Sequence, residues 1–318
     1  MTGLHVSAGG GRPGSTPSLQ IRQSNINTSV TPNSTRGGDA NPSPLYVIDD
    51  FISTEDAFNN LDVNEVENIT VLKDASAAAY GASAAYGVVL VKTKRGKVGA
   101  PSISYTGQFG FTDALKLPKM LNAYDYGRLY NAARAAGTST GESESDNRRT
   151  QYFQADELEA MRGLNYDLLD QEWSAAWTQR HGININGGTE KATYFAGVSY
   201  YSQEGNIGRL DYDRWNFRAG VNANIGKWAK ATLQVSGDMS EQNSARNGIT
   251  SGGTDADFNS LMTHIPFVPA YINGLPVVYT GMENASSGLT AVQLFHYGAV
   301  QNSPDNTEKQ SNNMSING

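Results

Sequence analysis

Cysteine is absent from this chain of 318 residues. A disulfide framework, a thiolate zinc site and a cysteine nucleophile are therefore excluded. Charge is scarce at 17 %, and its balance is acidic, with 24 Lys plus Arg against 31 Asp plus Glu and a net charge of -7. No run of Lys or Arg offers the basic face that counterion release from DNA or RNA requires, so nucleic acid is not an expected partner. The histidines His5, His181, His264 and His296 lie far apart, without the H-E-x-x-H pairing of a metal helix. Met1–His5 lacks the basic start and apolar stretch of a signal peptide. The nearest approach to a membrane helix, Ala75–Val91, is uncharged but short and interrupted by Gly81 and Gly87. What the chain does have is 34 Gly and 16 Tyr. That is too much glycine for a helical bundle, and the recurring aliphatic and aromatic clusters are foreign to a disordered chain. The composition points to a β-rich protein.

Two halves differ in pattern. Residues 1–98 read as a small α/β unit with short apolar runs at Leu4–Ser7, Ser18–Arg22, Leu45–Ile48, Ile69–Leu72 and Val88–Lys92. Asp74 stands as an N-cap before an alanine-rich helix that Gly81 stops, and a Ser-, Asn-, Gly- and Pro-rich loop fills Pro32–Pro44. From residue 99 to 318 the period becomes two. Along Ser102–Thr112, Ile103, Tyr105, Phe109 and Phe111 alternate with Ser, Thr and Gln; along Arg214–Ile225, Trp215, Phe217, Val221 and Ile225 alternate with Arg214, Asn216, Arg218 and Asn222. Trp228–Gly237 alternates again after a tight Gly226-Lys227 turn, Ala192–Gln203 does so with Phe195 and Tyr201 on the polar register, and Ile183 and Ile185 begin a fifth such strand. The segment 113–182 adds a helix from Ala123 to Ala136 capped by Asn122, a polar stretch Thr138–Arg149 expected to be mobile, and a short helix Ala155–Arg162.

Alternation alone fits a soluble β-sandwich as well as a membrane barrel. Strands of about ten to twelve residues, unbroken polar rows and links that alternate short with long are the pattern of a transmembrane barrel. The rival is a soluble carbohydrate-binding sandwich, which the tyrosines and Trp173, Trp177, Trp215 and Trp228 would serve. Trp215 and Trp228 are expected in a core or an aromatic girdle, and Tyr124, Tyr126 and Tyr130 read equally as helix packing or as ligand contacts. Gly9–Gly14 fits G-x-G-x-x-G literally, but Pro13 and the strand after it leave no helix N-terminus for a pyrophosphate. Asp49 and Asp50 are adjacent, point to opposite faces and cannot flank one bond; a strand-end turn is the simpler reading. Glu65 and Glu67 read as solvated charges, with Val63, Val66 and Ile69 packing inward.

Specific phrases then appear in order. Pro44-Leu45-Tyr46-Val47-Ile48-Asp49 is followed by Ile69-Thr70-Val71-Leu72-Lys73-Asp74-Ala75-Ser76, by Tyr80-Gly81, and by Ala84-Ala85-Tyr86-Gly87-Val88-Val89-Leu90-Val91. Ser18–Arg22 with Ser24–Asn27 precedes them, and Asn186–Tyr194 follows. This series closely resembles the plug domain and early barrel strands of SusC/RagA-type TonB-linked outer-membrane transporters, with "PLYVIDG", "I-x-V-L-K-D-A-S-A", "YG" and "A-A-N-G-V-I-L-V" phrases in the same order. The residues that carry it are Arg22, Asp49, Lys73, Asp74, Tyr80, Gly81 and Gly87. The sequence departs from the pattern where Gln23 follows Arg22, where Asp50 replaces a glycine, where an aliphatic is missing before Tyr80, and where Tyr86 replaces an asparagine.

The resemblance implies a mainly β protein: a small α/β plug over 1–98, then the first antiparallel strands of a large barrel over 99–318. It implies an outer-membrane importer of oligosaccharides or peptides that is energised through the TonB complex, lies in outer-membrane lipid and works with a SusD-like surface lipoprotein. No catalysis, metal or cofactor is implied. Lys73-Asp74 and Arg22 are the expected charge contacts within the plug or between plug and wall. Barrels of this kind have about 22 strands; five are legible here, so the chain is expected to be a fragment that does not transport alone.

Overall fold

The computed structural model describes residues 5–7, 11–21, 43–137, 152–226, 228–245, 254–285, 288–301 and 306–317. Arg22, Gly9, Gly10, Lys227, most of the Pro32–Pro44 loop and the Thr138–Arg149 stretch lie outside the described residues.

The first part opens with a hairpin, β1 (His5–Ser7) and β2 (Ser18–Gln20). A four-stranded sheet follows, formed by β3 (Leu45–Ile48), β4 (Phe51–Ser53), β5 (Val66–Leu72) and β6 (Val88–Thr93) in the order β4-β3-β6-β5. β3 and β6 run parallel, and both flanking pairs are antiparallel. The parallel pair reads as a continuous apolar run because it is covered on both faces. Ile21, Tyr46, Val89 and Val91 pack on one side, and Val47, Ala77, Ala84 and Val88 on the other. Thr54 caps the short helix α1 (Glu55–Asn59) by accepting the Ala57 amide at 3.1 Å.

The alanine-rich segment differs from expectation. It is a 3₁₀-helix over Asp74–Tyr80 with Lys73, not Asp74, at its N-cap. Ser76 explains the tighter winding: its hydroxyl donates to the Lys73 carbonyl at 2.6 Å, competing for an acceptor that an α-helix would use. Gly81 ends the helix at φ 76°, and Gly87 turns the chain into β6 at φ 97°, where a side chain would meet Ile21 at 2.9 Å.

The second part is one six-stranded antiparallel sheet, β16-β11-β10-β9-β8-β7. Its strands are β7 (Gly99–Thr112), β8 (Ala176–Gly188), β9 (Ala192–Glu204), β10 (Asp211–Ile225), β11 (Ala229–Ala245) and β16 (Asn306–Asn317). The sheet is open, with β7 and β16 each paired on one side only among the described residues. Ile225 pairs with Ala229, so the turn expected at Gly226-Lys227 takes in three residues, with Gly226 at φ 68°. β16 is a sixth strand that the sequence pattern missed.

At one end of this sheet the links are the short ones after Gly188 and Ile225; at the other they are long. The long links hold α2 (Ala123–Gly137), α3 (Ala155–Ala160), α4 (Leu168–Glu172), α5 (Thr254–Met262), the hairpins β12 (Tyr271–Ile272) with β13 (Leu275–Pro276) and β14 (Val278–Ala285) with β15 (Gly288–Phe295), and α6 (Tyr297–Gln301). Asn122 caps α2 as expected, accepting the Asp125 amide at 2.8 Å. Leu168, Leu169, Ile207, Leu261 and Tyr297 knit these pieces into a core of their own, with Trp173 packed against it.

The two faces of the large sheet differ sharply. On β10, Tyr212, Arg214, Asn216 and Arg218 are buried on the side facing the first part of the chain, Tyr212 against Gly14, while Trp215, Phe217 and Val221 are exposed on the opposite side. Leu233, Met239, Met314 and Ile316 continue that apolar face on β11 and β16. Among the described residues these side chains of the apolar face are left exposed. Trp215 and Trp228 are both exposed rather than in a core.

Candidate functional site

The polar face of the large sheet meets the small sheet along a buried seam, and the seam begins at a turn. β3 ends at Ile48, and the chain reverses through Asp49 and Asp50, both with positive φ (50° and 76°). Asp49 still adds to the parallel ladder, its amide donating to the Val91 carbonyl at 2.9 Å. That geometry sends its side chain out of the small sheet toward the large one.

Four groups converge on the Asp49 carboxylate. Oδ1 accepts the Thr93 amide at 3.0 Å, and Oδ2 accepts the Thr93 hydroxyl at 2.5 Å, Gln234 Nε2 at 3.0 Å and Arg218 Nη2 at 2.5 Å. Arg95 stands 3.8 Å away. The side chains of Asp49 and Arg218 are 1 % and 3 % exposed, which makes this a desolvated ion pair rather than a surface one. Burial alone would push the Asp49 carboxyl up; the Thr93 hydroxyl and amide, the Gln234 amide and the Arg218 charge outweigh it and hold the group below the usual carboxylate range.

The large sheet is shaped to present Arg218. Its guanidinium lies 4.8 Å from the centre of the Phe195 ring on β9. Gly220 admits that ring, since a Cβ there would stand 2.5 Å from Phe195 Cε1. Phe195 and Tyr201 are thus on the polar register for a reason: both are platforms for arginines, Tyr201 lying under Arg180 at 5.1 Å and Arg214 at 5.6 Å.

Further bonds extend the seam. Arg214 donates to the Asn59 carbonyl at 3.2 Å, Asn60 donates to Asp238 at 2.9 Å, and Gln242 donates to the Pro13 carbonyl at 2.6 Å. Between these contacts lie two cavities of about 440 and 320 Å³, and Glu65 and Arg218 line both. Glu65 and Val63 therefore reverse the sequence expectation. Glu65 is buried and Val63 is exposed, because the turn capped by Asp62 fixes the Glu65 backbone between the Asp62 carbonyl and the Lys94 amide. Ile69 is exposed as well, while Val66 packs on the core as expected.

Of the motif residues, Asp49 is the one at the centre of the seam. Lys73 caps the 3₁₀-helix that holds Asp74 and Tyr80, Gly81 and Gly87 shape its exit, and Arg22 lies outside the described residues. The sequence reading missed Thr93, Arg218, Gln234 and Glu65. One signal was available: Arg214 and Arg218 on the same strand face demand buried counter-charges from whatever covers them. Among the described residues no three His, Cys, Asp or Glu side chains stand together as metal donors.

The arrangement is a clasp between the two parts of the chain. Residues 3–88 match the family described as TonB-dependent Receptor Plug Domain. The chain is 30 % identical over 233 residues to the TonB-dependent receptor SusC of Bacteroides thetaiotaomicron, covering 70 % of this chain and 20 % of that protein. It is 28 % identical over 275 residues to the TonB-dependent receptor P26 of Formosa agariphila, covering 85 % and 24 %. Among solved structures, the RagAB peptide importer in its open-open state superposes with a TM-score of 0.66 at 21 % identity, covering 99 % of this chain and 35 % of that one. The chain thus spans between a fifth and a quarter of the length of these curated relatives.

Proposed function

Starting from a chain that carries the plug domain and first barrel strands of a SusC/RagA-type TonB-dependent receptor, we propose that it serves as the gate and the first part of the wall of an outer-membrane nutrient importer. In this reading residues 1–98 are the plug and residues 99–318 begin the barrel. The apolar outer face of β7–β11 and β16 lies in outer-membrane lipid, and the cargo is an oligosaccharide or a peptide. A SusD-like lipoprotein covers the end that holds the long links, and the protein is a transporter, not an enzyme.

The observation that carries the reading is the Asp49 clasp, in which wall residues Arg218 and Gln234 hold a plug carboxylate. A gate must close the lumen at rest and yield to force. Few, discrete polar contacts separated by cavities meet both needs: each contact resists while intact, and none engages the whole interface at once. TonB, drawing on the proton gradient, would pull the plug until the clasp parts and bound cargo passes. The relatives named as TonB-dependent receptors support the energy source, and the likeness to the RagAB peptide importer supports a peptide as one cargo.

The test introduces a pair of cysteines into this part of the receptor, which has none of its own. In the full-length receptor, Asn60→Cys and Asp238→Cys, whose parent side chains touch at 2.9 Å, are joined by a short cleavable thiol cross-linker. The locked receptor should bind cargo but not import it, with import restored when the linker is cleaved. Undiminished import through a fully cross-linked receptor would refute the gate.

A further inference from the structure

The seam holds one carboxylate that the wall does not satisfy. Glu65 is 7 % exposed, and its Oε1 has no hydrogen-bond partner. Its backbone is fixed at the seam, the amide donating to Asp62 O at 2.9 Å and the carbonyl accepting the Lys94 amide at 2.7 Å. The wall makes room for it at Gly197, where a Cβ would stand 3.3 Å from Glu65 Oε1. Facing it are Asp62 from its own turn, Arg214 and Arg218 from β10 and Asn184 from β8, with Glu67, Lys94, Arg95 and Lys97 around the larger cavity. Arg218 is already committed to Asp49 at 2.5 Å, and Arg214 donates through Nη1 to the Asn59 carbonyl while its buried Nε has no hydrogen-bond partner. The pocket therefore gives Glu65 room and two arginine charges nearby, but no hydrogen bond to its Oε1.

We propose that Glu65 is a proton-operated latch: protonated, it seats in the Gly197 notch and holds the plug to the wall; ionised, it loosens the seam on the cavity side. The inference rests on the plug-in-wall reading above and adds a control to it. Burial pushes the carboxyl up to about 7, with Asp62 adding repulsion and the Arg218 and Arg214 charges opposing the rise. In the displaced plug Glu65 meets water and returns to its ordinary value of 4.5. The seated state thus has the raised pKa and binds the proton more tightly. Its protonation-linked stability is fully present below the free value and is lost as pH rises through the seated value. Between those values the seating equilibrium should weaken about tenfold per pH unit.

Hydrogen exchange on the full-length receptor in detergent, corrected for intrinsic rates, reads this directly at the amides of Asn64, Glu65 and Lys94. Protection in the unsubstituted receptor should fall about tenfold per unit between pH 4.5 and 7 and then level off. In Glu65→Gln and Glu65→Met, two uncharged replacements of which either suffices, it should be flat. A flat profile in the unsubstituted receptor, or an unchanged slope in either variant, overturns the latch. Asp49→Asn at fixed pH separates the two readings. If it lowers protection while the slope is missing, only the latch fails; if it has no effect, the clasp and the gate fail with it.

Discussion

Arg218 reaches 2.5 Å to Asp49 across 169 positions of sequence, joining a wall strand to a plug turn through two side chains almost wholly withdrawn from water. Removing one partner of such a pair leaves the other charge buried and uncompensated, at a cost of about 3–5 kcal/mol. Asp49→Asn should therefore loosen the plug far more than loss of one hydrogen bond would, measured as faster proteolysis of the plug in the folded receptor. Arg218→Met should do the same, and the double substitution should recover much of the loss because no charge remains stranded. Additive single effects would sink the claim that the two residues act as one contact.

Asp50 follows at φ 76° with its side chain exposed, so it bears the cost of a left-handed backbone without contributing to the clasp. Asp50→Gly should stabilise the receptor by about 0.5–1 kcal/mol, the relief of that conformation net of glycine's greater unfolded freedom. A rise in thermal midpoint checks it, and a fall would show that the Asp50 side chain has a role of its own. Asp49→Gly is the contrast: it relieves the same kind of backbone and destroys the clasp.

What was legible follows from where each signal is stored. The wall strands could be read because period-two alternation is written into consecutive residues such as Trp215, Asn216, Phe217 and Arg218. Helix α2 was legible from its Asn122 cap and alanine content, both local. The clasp was not, because Thr93, Arg218 and Gln234 meet Asp49 only after two sheets have docked, and no local pattern encodes that docking. Glu65 misled for a related reason. A charge beside Val63 and Val66 reads as the solvated side of a strand, yet the turn capped by Asp62 rotates the chain so that Val63 faces water and Glu65 the wall. Strand β16 escaped because its run, Asn306–Asn317, is polar on both registers until Met314 and Ile316.

The link region carries an acid-sensitive contact of opposite sign to the Glu65 latch. His296 is 1 % exposed and its Nδ1 accepts the Gly298 amide at 3.1 Å, so its proton sits on Nε2, 2.8 Å from His264 Nε2. Both Nε2 atoms also face the Val268 carbonyl, 3.0 Å from His264 and 3.2 Å from His296, which accepts a ring proton and partly opposes burial. Burial pushes both rings down, and His296, with the His264 charge opposing it as well, falls to about 4. A base with a depressed folded pKa contributes stability that is present above the free value of 6.5 and lost as pH falls through 4. Histidine ring resonances should show His296 neutral down to about that pH, with the packing of Trp173 against Phe258 loosening alongside. Titration of His296 near its free value would remove the contact.

The outer face of the wall makes the last prediction, one that separates lipid from water as its surroundings. Phe217 lies near the middle of β10, on the face it shares with Trp215 and Val221 and opposite buried Asn216 and Arg218. On a water-facing sheet, Phe217→Lys would replace a half-exposed ring with a solvated ammonium at little cost, within about 0.5 kcal/mol for most surface sites. At mid-depth in a bilayer the same lysine costs about 2–4 kcal/mol, because no water reaches its ammonium. Gly237 beneath the ring does not change the comparison, since Phe217→Leu empties the same space without adding charge. Denaturant midpoints of the full-length receptor folded into lipid vesicles should therefore drop sharply for Phe217→Lys and only modestly for Phe217→Leu. Equal drops would mean that this face does not meet lipid, and the wall assignment of β10 would fall with it.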